Sequence, residues 1–312
     1  MHPAFSVIFF TVASGAGYGL FILMVLARLF NAEGMNGGTM LSAGILALVL
    51  ISAGLLSSTF HLANPKNAWR AFFRFRTSWL SREGVFAVLF YPFALLYLLL
   101  LWVLDNQDST LMNTIGVLAL LIALATVFST GMIYGCLKTI RQWHTALTPA
   151  NYLLIGLATG GVLLVMLIMM NGGRGSSVAW LAGALLLIAA ITKAVYYFWI
   201  SKVIGPTINT ATGFTRAQVR LLDTGHTAGT FLTDEFGYQT DPKQLESLKY
   251  MVFIFGFFLP ACFMAAVFAG AGGWGSALLA ALCMLGGIGV ERWLFFAEAR
   301  HVVNLYHGAR HT

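Results

Sequence analysis

Apolar residues occur along this chain in long runs that short polar segments separate. Each run holds about twenty residues, enough to cross a hydrocarbon core of about 30 Å as a helix. Breaks at charges, paired glycines and prolines divide the chain into eight predicted spans, at residues 5–30, 38–60, 84–104, 112–136, 150–170, 178–200, 250–270 and 275–297. The pattern therefore predicts an all-α polytopic membrane protein, with one membrane domain over residues 1–312.

The composition agrees with this class and excludes others. Hydrophobic residues make up 59% of the chain and charged residues only 9%, whereas soluble proteins carry about 25% charged residues. A soluble globular protein and a disordered chain are both excluded. The three cysteines show no CxxC spacing, so the chain itself offers neither a disulfide framework nor an iron–sulfur site.

Basic residues are concentrated on one side of the predicted membrane domain. With an even number of spans, both termini lie on the same side, and fourteen of the 18 Lys and Arg residues fall there. The positive-inside rule then predicts cytoplasmic termini, in a bacterial inner membrane. The net charge of +7 is explained by topology and contact with anionic membrane lipids, and no nucleic-acid partner is expected.

Bases alternate with aromatic residues between the second and third spans. Lys66, Arg70 and Arg74 recur every four residues, with Trp69 and Phe72 beside them. The spacing predicts an amphipathic segment over 62–82 that lies in the membrane interface. Two interpretations stay open: the segment anchors the chain to lipid headgroups, or Arg70 and Arg74 help to dock a partner protein.

The linker over 201–249 is long for a polytopic protein. It carries five bases and five acids, and loops of this length are usually functional or disordered. Its mixed charge and aromatic residues predict a cytoplasmic docking loop, with His226, Glu235 and Tyr238 as candidate contact residues. A solvated tether is the alternative.

Three residues at the cytoplasmic ends of the second and third spans suit a quinone site. His61 lies at the depth where a quinone headgroup would enter from the bilayer, and an imidazole can donate a hydrogen bond and exchange a proton there. Arg82 and Glu83 open the third span, where a carboxylate is costly unless it is paired or wet. We expect Glu83 to relay protons and Arg82 to hold its carboxylate charged. Helix capping and local ion pairing are the alternatives.

Two further pairs lie near the same face. Tyr134 and Lys138, one turn apart at the end of the fourth span, could line the same pocket, although such residues usually just anchor a helix. Glu291 and Arg292 in the last span are predicted to form an internal structural pair.

Haem and transport are two alternatives. All seven histidines fall on the cytoplasmic side or at span ends, which leaves at most one axial pair, for example His61 with His301. Haem is therefore disfavoured, and no metal site is expected. Mid-span residues are nearly all apolar, which argues against a transporter.

Residues 61–70 (HLANPKNAWR) and 77–84 (TSWLSREG) resemble the signature of the dimethyl sulfoxide reductase anchor-subunit family. Within it they are most similar to the branch that anchors cytoplasmic sulfite dehydrogenases. Further matching pieces lie at residues 132–140, 149–152, 226–238 and 292–301, so the resemblance spans nearly the whole chain. Gly225 stands where the family usually has a proline before the His226–Thr227 pair.

The resemblance implies an eight-helix anchor that bears an iron–sulfur subunit and, beyond it, a molybdopterin catalytic subunit. Such anchors exchange electrons with quinone (ubiquinone or menaquinone) and normally hold no haem. The family's quinone-site histidine and glutamate align with His61 and Glu83. Cytoplasmic termini favour the sulfite-oxidising branch, in which electrons from sulfite pass through the iron–sulfur subunit to quinone. The alternatives are a quinol-oxidising anchor of a dimethyl sulfoxide reductase-type complex and a haem b-bearing anchor.

Overall fold

The computed structural model describes residues 1–60, 64–214, 216–223, 230, 235–238, 240–309 and 312. Eight helices within these residues are long and apolar enough to cross a membrane, which confirms the predicted all-α class and its eight spans. They are α1 (Phe5–Leu29), α2 (Gly37–Thr59), α3 (Trp79–Val103), α4 (Thr110–Gly135), α5 (Leu147–Met170), α6 (Ser176–Lys202), α7 (Pro242–Phe268) and α8 (Trp274–Ala297).

Two helices begin earlier than their apolar runs. α3 begins at Trp79 rather than at 84, because the Ser78 side chain caps it by accepting a hydrogen bond from the Ser81 N–H at 3.4 Å. α7 begins at Pro242 rather than at 250, because the Asp241 side chain caps it by accepting a hydrogen bond from the Lys243 N–H at 3.1 Å. Both helices thus include charged residues near their start, and Glu83 lies in the second turn of α3.

α1 and α5 form the centre of the bundle. Buried residues make up 78% of the most apolar stretch of α1 and 72% of that of α5, against 33–50% in the other six helices. Glycines allow the two backbones to approach closely: a Cβ built on Gly19 would overlap the Gly156 carbonyl, and one on Gly160 would overlap the backbone of Gly19. Small residues spaced by four are a common device for packing membrane helices.

Both chain termini lie on one face of the bundle, which we call the termini face. The His2 N–H donates to the Glu235 carbonyl at 2.8 Å. Ile140, in the α4–α5 loop, forms an isolated backbone bridge with His301. The N-terminal segment, the α6–α7 linker, the α4–α5 loop and the segment after α8 therefore meet at this face.

The basic and aromatic segment before α3 is divided into two parts. Pro65–Arg74 forms a 3₁₀-helix with exposed Trp69 and Phe73 in edge-to-face contact. The chain then turns, and the Ser81 hydroxyl of α3 donates back to the Ala71 carbonyl. Within the predicted amphipathic segment over 62–82, the described residues thus form a short 3₁₀-helix, a turn and the first turn of α3. Residues 62 and 63 lie outside the described residues.

Candidate functional site

Glu83 is a buried carboxylate near the termini face. Its side chain is 5% exposed, and its Oε1 accepts a hydrogen bond of 2.5 Å from the Thr130 hydroxyl on α4. A carboxylate at this depth costs free energy unless it is partnered or protonated. Thr130, which sequence reasoning missed, is that partner. Its only signal in the sequence is a polar residue near the end of an apolar run.

Arg82 does not form an ion pair with its neighbour Glu83. Its guanidinium donates to the carbonyls of Phe75 at 3.0 Å and Arg76 at 2.8 Å and lies 4.1 Å from the Trp79 ring centroid. Consecutive residues on a helix do not face each other, so Arg82 points to the surface while Glu83 points into the bundle. The expectation that Arg82 holds the Glu83 carboxylate charged is therefore wrong.

Tyr134 and Lys138 do not line a common pocket. α4 ends at Gly135, so Lys138 lies in the following loop and is exposed. Tyr134 stacks on Tyr152 with ring centroids 5.8 Å apart and contacts Trp143 edge-on at 5.0 Å. It lies one turn from Thr130, toward the end of α4 at the termini face, and belongs to an aromatic cluster.

Two predicted site residues, His61 and His226, lie outside the described residues. Of the other docking candidates, Arg70 and Arg74 are exposed on the 3₁₀-helix. Glu235 and Tyr238 are half-buried against the N-terminal segment, and the Tyr238 ring meets the His2 ring edge-on at 5.2 Å.

His301, the other half of the haem alternative, lies after α8. Its Nδ1 accepts a hydrogen bond from the Val303 N–H at 3.1 Å, and its ring packs 4.7 Å from that of Phe236. Partial burial lowers the pKa of His301 below its usual value and favours the neutral ring. No group of metal-binding side chains occurs among the residues that were described.

An ion cluster lies inside the bundle between α6 and α8. Glu291 pairs with Lys193 and, at 3.1 Å, with the Nε of Arg292, and all three side chains are at most 3% exposed. The predicted internal pair of Glu291 and Arg292 is confirmed. Lys193, from another helix, completes it and leaves the cluster with one positive charge in excess.

A small cavity lies between α1, α4, α5 and α8. Polar groups on its wall come from Tyr18, Thr130, Tyr152 and Arg292, and it has about 20 Å³ of space for the centres of water molecules. The Arg292 guanidinium lies 3.9 Å from the Tyr152 ring centroid. Thr130 therefore contacts Glu83 and also borders the cavity. Because Arg292 of the ion cluster lines the same cavity, the cavity lies between Thr130 and the ion cluster.

A much larger concavity opens on the termini face. It has a volume of about 1050 Å³ and is lined by residues of α6, α7, α8 and the segment after α8. Lys249 and Glu298 form an ion pair of 2.5 Å on its wall, and Tyr238 also lines it. It is the principal candidate surface for another protein of a complex.

Comparison with known proteins places the chain in a family. The model of the DMSO reductase anchor subunit (DmsC) matches residues 1–297. The chain is 33% identical to a sulfite dehydrogenase subunit of Allochromatium vinosum over 329 residues, covering 98% of this chain and 99% of the relative. Both matches extend far beyond residues 61–84 and confirm the resemblance found there. This chain is thus a multi-pass membrane protein of the DMSO reductase anchor subunit family.

Proposed function

We propose that this chain is the membrane anchor of a molybdopterin oxidoreductase complex in the bacterial inner membrane. Family membership over residues 1–297 supports the anchor role, and the name of the sulfite dehydrogenase relative supports sulfite as the substrate of the complex. A molybdopterin subunit oxidises sulfite, an iron–sulfur subunit transfers the electrons, and membrane quinone receives them at this chain.

The observation that carries the quinone part of the proposal is the buried Glu83. Quinone, when bound, supplies a two-electron acceptor whose oxygens need protons. A carboxyl group 5% exposed, with Thr130 at 2.5 Å, suits this task because it can hold a proton in the apolar span and release it at close range. His61 is the proposed hydrogen-bond donor to the other quinone oxygen, and Tyr134, one turn from Thr130, is a proposed contact of the headgroup.

The concavity on the termini face is the proposed docking surface for the iron–sulfur subunit. Its wall is about equally polar and apolar and includes the Lys249–Glu298 ion pair, and aromatic and mixed polar residues are typical of protein interfaces. Arg70 and Arg74, exposed on the 3₁₀-helix of the α2–α3 segment, are proposed as a second contact area for the same partner. Electrons would thus arrive at the same face as the Glu83 site.

Substituting Glu83→Gln is expected to impair quinone reduction while leaving sulfite oxidation by the partner proteins intact. In the purified complex, sulfite oxidation coupled to quinone should fall by at least about 100-fold, because the amide cannot supply the proton. Sulfite oxidation coupled to a soluble dye should persist. His61→Ala should give the same pattern, and Glu33→Gln, at an exposed carboxylate in the α1–α2 loop, is the matched control. Equal loss of both activities, or of neither, would contradict the assignment.

The proposed orientation places the termini face in the cytoplasm. In a chain whose three native cysteines are replaced by serine, Glu33→Cys and Arg141→Cys introduce thiols at exposed positions of opposite faces. A membrane-impermeant maleimide should label Glu33→Cys in spheroplasts and Arg141→Cys only in inverted vesicles. The reverse labelling would place the complex on the outer side of the membrane.

The description of the matching family favours one second candidate, a quinol-oxidising anchor of a reductase complex. Electron flow then runs from quinol through the same Glu83 site to the partner proteins. Sulfoxide reduction by the complex with quinol, without sulfite oxidation, would replace the first proposal with this one.

A further inference from the structure

We propose that the internal cavity beside Thr130 is a water-binding site through which Glu83 regains its proton, with Tyr18 and Tyr152 as its positioning residues. This inference rests on the proposed function, since it describes how the acid of the quinone site is recharged. It assigns a role to two tyrosines and a threonine that lie in the bundle interior, away from the headgroup.

The cavity has the size and the polarity that a bound water needs. Its space of about 20 Å³ for water centres exceeds the roughly 10–15 Å³ that one water requires on this measure. Tyr18 and Tyr152 are 2% and 5% exposed. Neither hydroxyl makes a hydrogen bond of regular geometry within the described chain, although Thr126 lies near Tyr18, and Arg292 and Tyr134 lie near Tyr152. Buried hydroxyls normally have a partner, and water in the cavity supplies it.

Glu83 connects to this cavity through Thr130 rather than to the surface through Arg82. The Thr130 hydroxyl contacts the Glu83 carboxylate at 2.5 Å, and Thr130 lines the cavity. When the carboxyl group gives its proton to a quinone oxygen, the Thr130 hydroxyl passes its own proton to Glu83 and takes one from a cavity water. The cavity water regains its proton from solvent at the termini face, so one O–H bond forms for each that breaks, and the electrons come from the partner proteins.

The opposite wall of the cavity orients the water. Arg292 keeps its protons at all relevant pH values, and its ion cluster carries one excess positive charge, since Lys193 and Arg292 face a single Glu291. Water oxygens therefore turn toward Arg292 and water protons toward Thr130. The cavity begins at Thr11, six residues into α1, or about 9 Å from the end of that helix at the termini face, which is the side from which the proposal takes its protons.

The test is the rate at which the Glu83 carboxyl group exchanges its proton, measured in the purified complex without turnover. Infrared spectroscopy follows the deuterium shift of the carboxyl C=O band, which is assigned by its loss in Glu83→Gln. In Tyr18→Phe/Tyr152→Phe the exchange should slow by about tenfold, less than the effect of losing the acid itself. Quinone-coupled kcat should fall while the KM for quinone stays unchanged.

Tyr97→Phe is the matched control. Tyr97 is 1% exposed, and its hydroxyl also makes no hydrogen bond within the described residues, but it does not line the cavity. If the double variant fails to assemble, Thr130→Val should slow the exchange and Thr130→Ser should restore it. Wild-type exchange in the double variant, or equal slowing in Tyr97→Phe, would overturn the cavity route alone. Normal quinone turnover in Glu83→Gln would instead overturn the proposed function.

Discussion

Replacing Gly160 by leucine is expected to prevent α1 and α5 from packing and to abolish accumulation of the folded chain. A Cβ at this position already overlaps the Gly19 backbone, so the helices must separate along the centre of the bundle. The expected loss is at least about 3 kcal/mol in the free energy of unfolding, the upper end for atoms forced into a packed interior. Fluorescence-detected size-exclusion chromatography of a tagged chain in detergent measures the outcome.

A graded series sharpens this prediction. Gly160→Ala should destabilise the chain less than Gly160→Leu. Gly183→Ala, on α6, is the matched control because a Cβ there meets nothing within 4 Å and alanine favours the helix. A normal elution profile and thermal midpoint for Gly160→Leu would show that the α1–α5 contact does not hold the bundle together.

Glu291→Gln is expected to cost about 3–5 kcal/mol of unfolding free energy, because it leaves two buried cations without a counter-charge. Lys193→Met should cost far less, since Arg292 and Glu291 remain as a balanced pair at 3.1 Å. The double variant Lys193→Met/Glu291→Gln leaves a single cation and should be more stable than Glu291→Gln alone. Denaturant unfolding in mixed micelles measures all three.

The partly exposed pair of Lys249 and Glu298 provides the control for the ion cluster. Its side chains are 29% and 14% exposed, against at most 3% in the cluster, so Glu298→Gln should cost less unfolding free energy than Glu291→Gln. If Lys193→Met proved as harmful as Glu291→Gln, charge balance would not explain the cluster, and packing of the lysine stem would be the better account.

The eight spans could be predicted because hydropathy is a local property of the sequence. A run of about twenty apolar residues must form a helix in a bilayer whatever surrounds it. The starts of α3 and α7 differ from the prediction because charged residues interrupt the apolar pattern in their first turns, at Arg82 and Lys243, and only the caps at Ser78 and Asp241 show where the helices begin. Charges that were expected to precede a span therefore lie inside one.

The candidate site was predictable only in part. The family motif singles out Glu83 in the sequence, but its burial depends on how α3 is rotated, because Arg82 in the same turn points to the surface. The hydrogen-bond partner of Glu83, Thr130, comes from the next helix, and the rotation of α3 directs Glu83 and Arg82 to different sides. Likewise Lys193 stands alone in the sequence of α6, and the contact of α6 with α8 is what pairs it with Glu291.

The sequence by itself determined the class of this protein, its eight helices, the common side of its termini and its family, since these depend on composition and order along the chain. The tertiary structure decided which charges meet, which helices are central, and where a polar cavity lies beside Glu83. Those features depend on how each helix is rotated and how closely two backbones approach, as at Gly19 and Gly160. In an apolar bundle many rotations satisfy hydropathy equally well, and only the packing of side chains selects one.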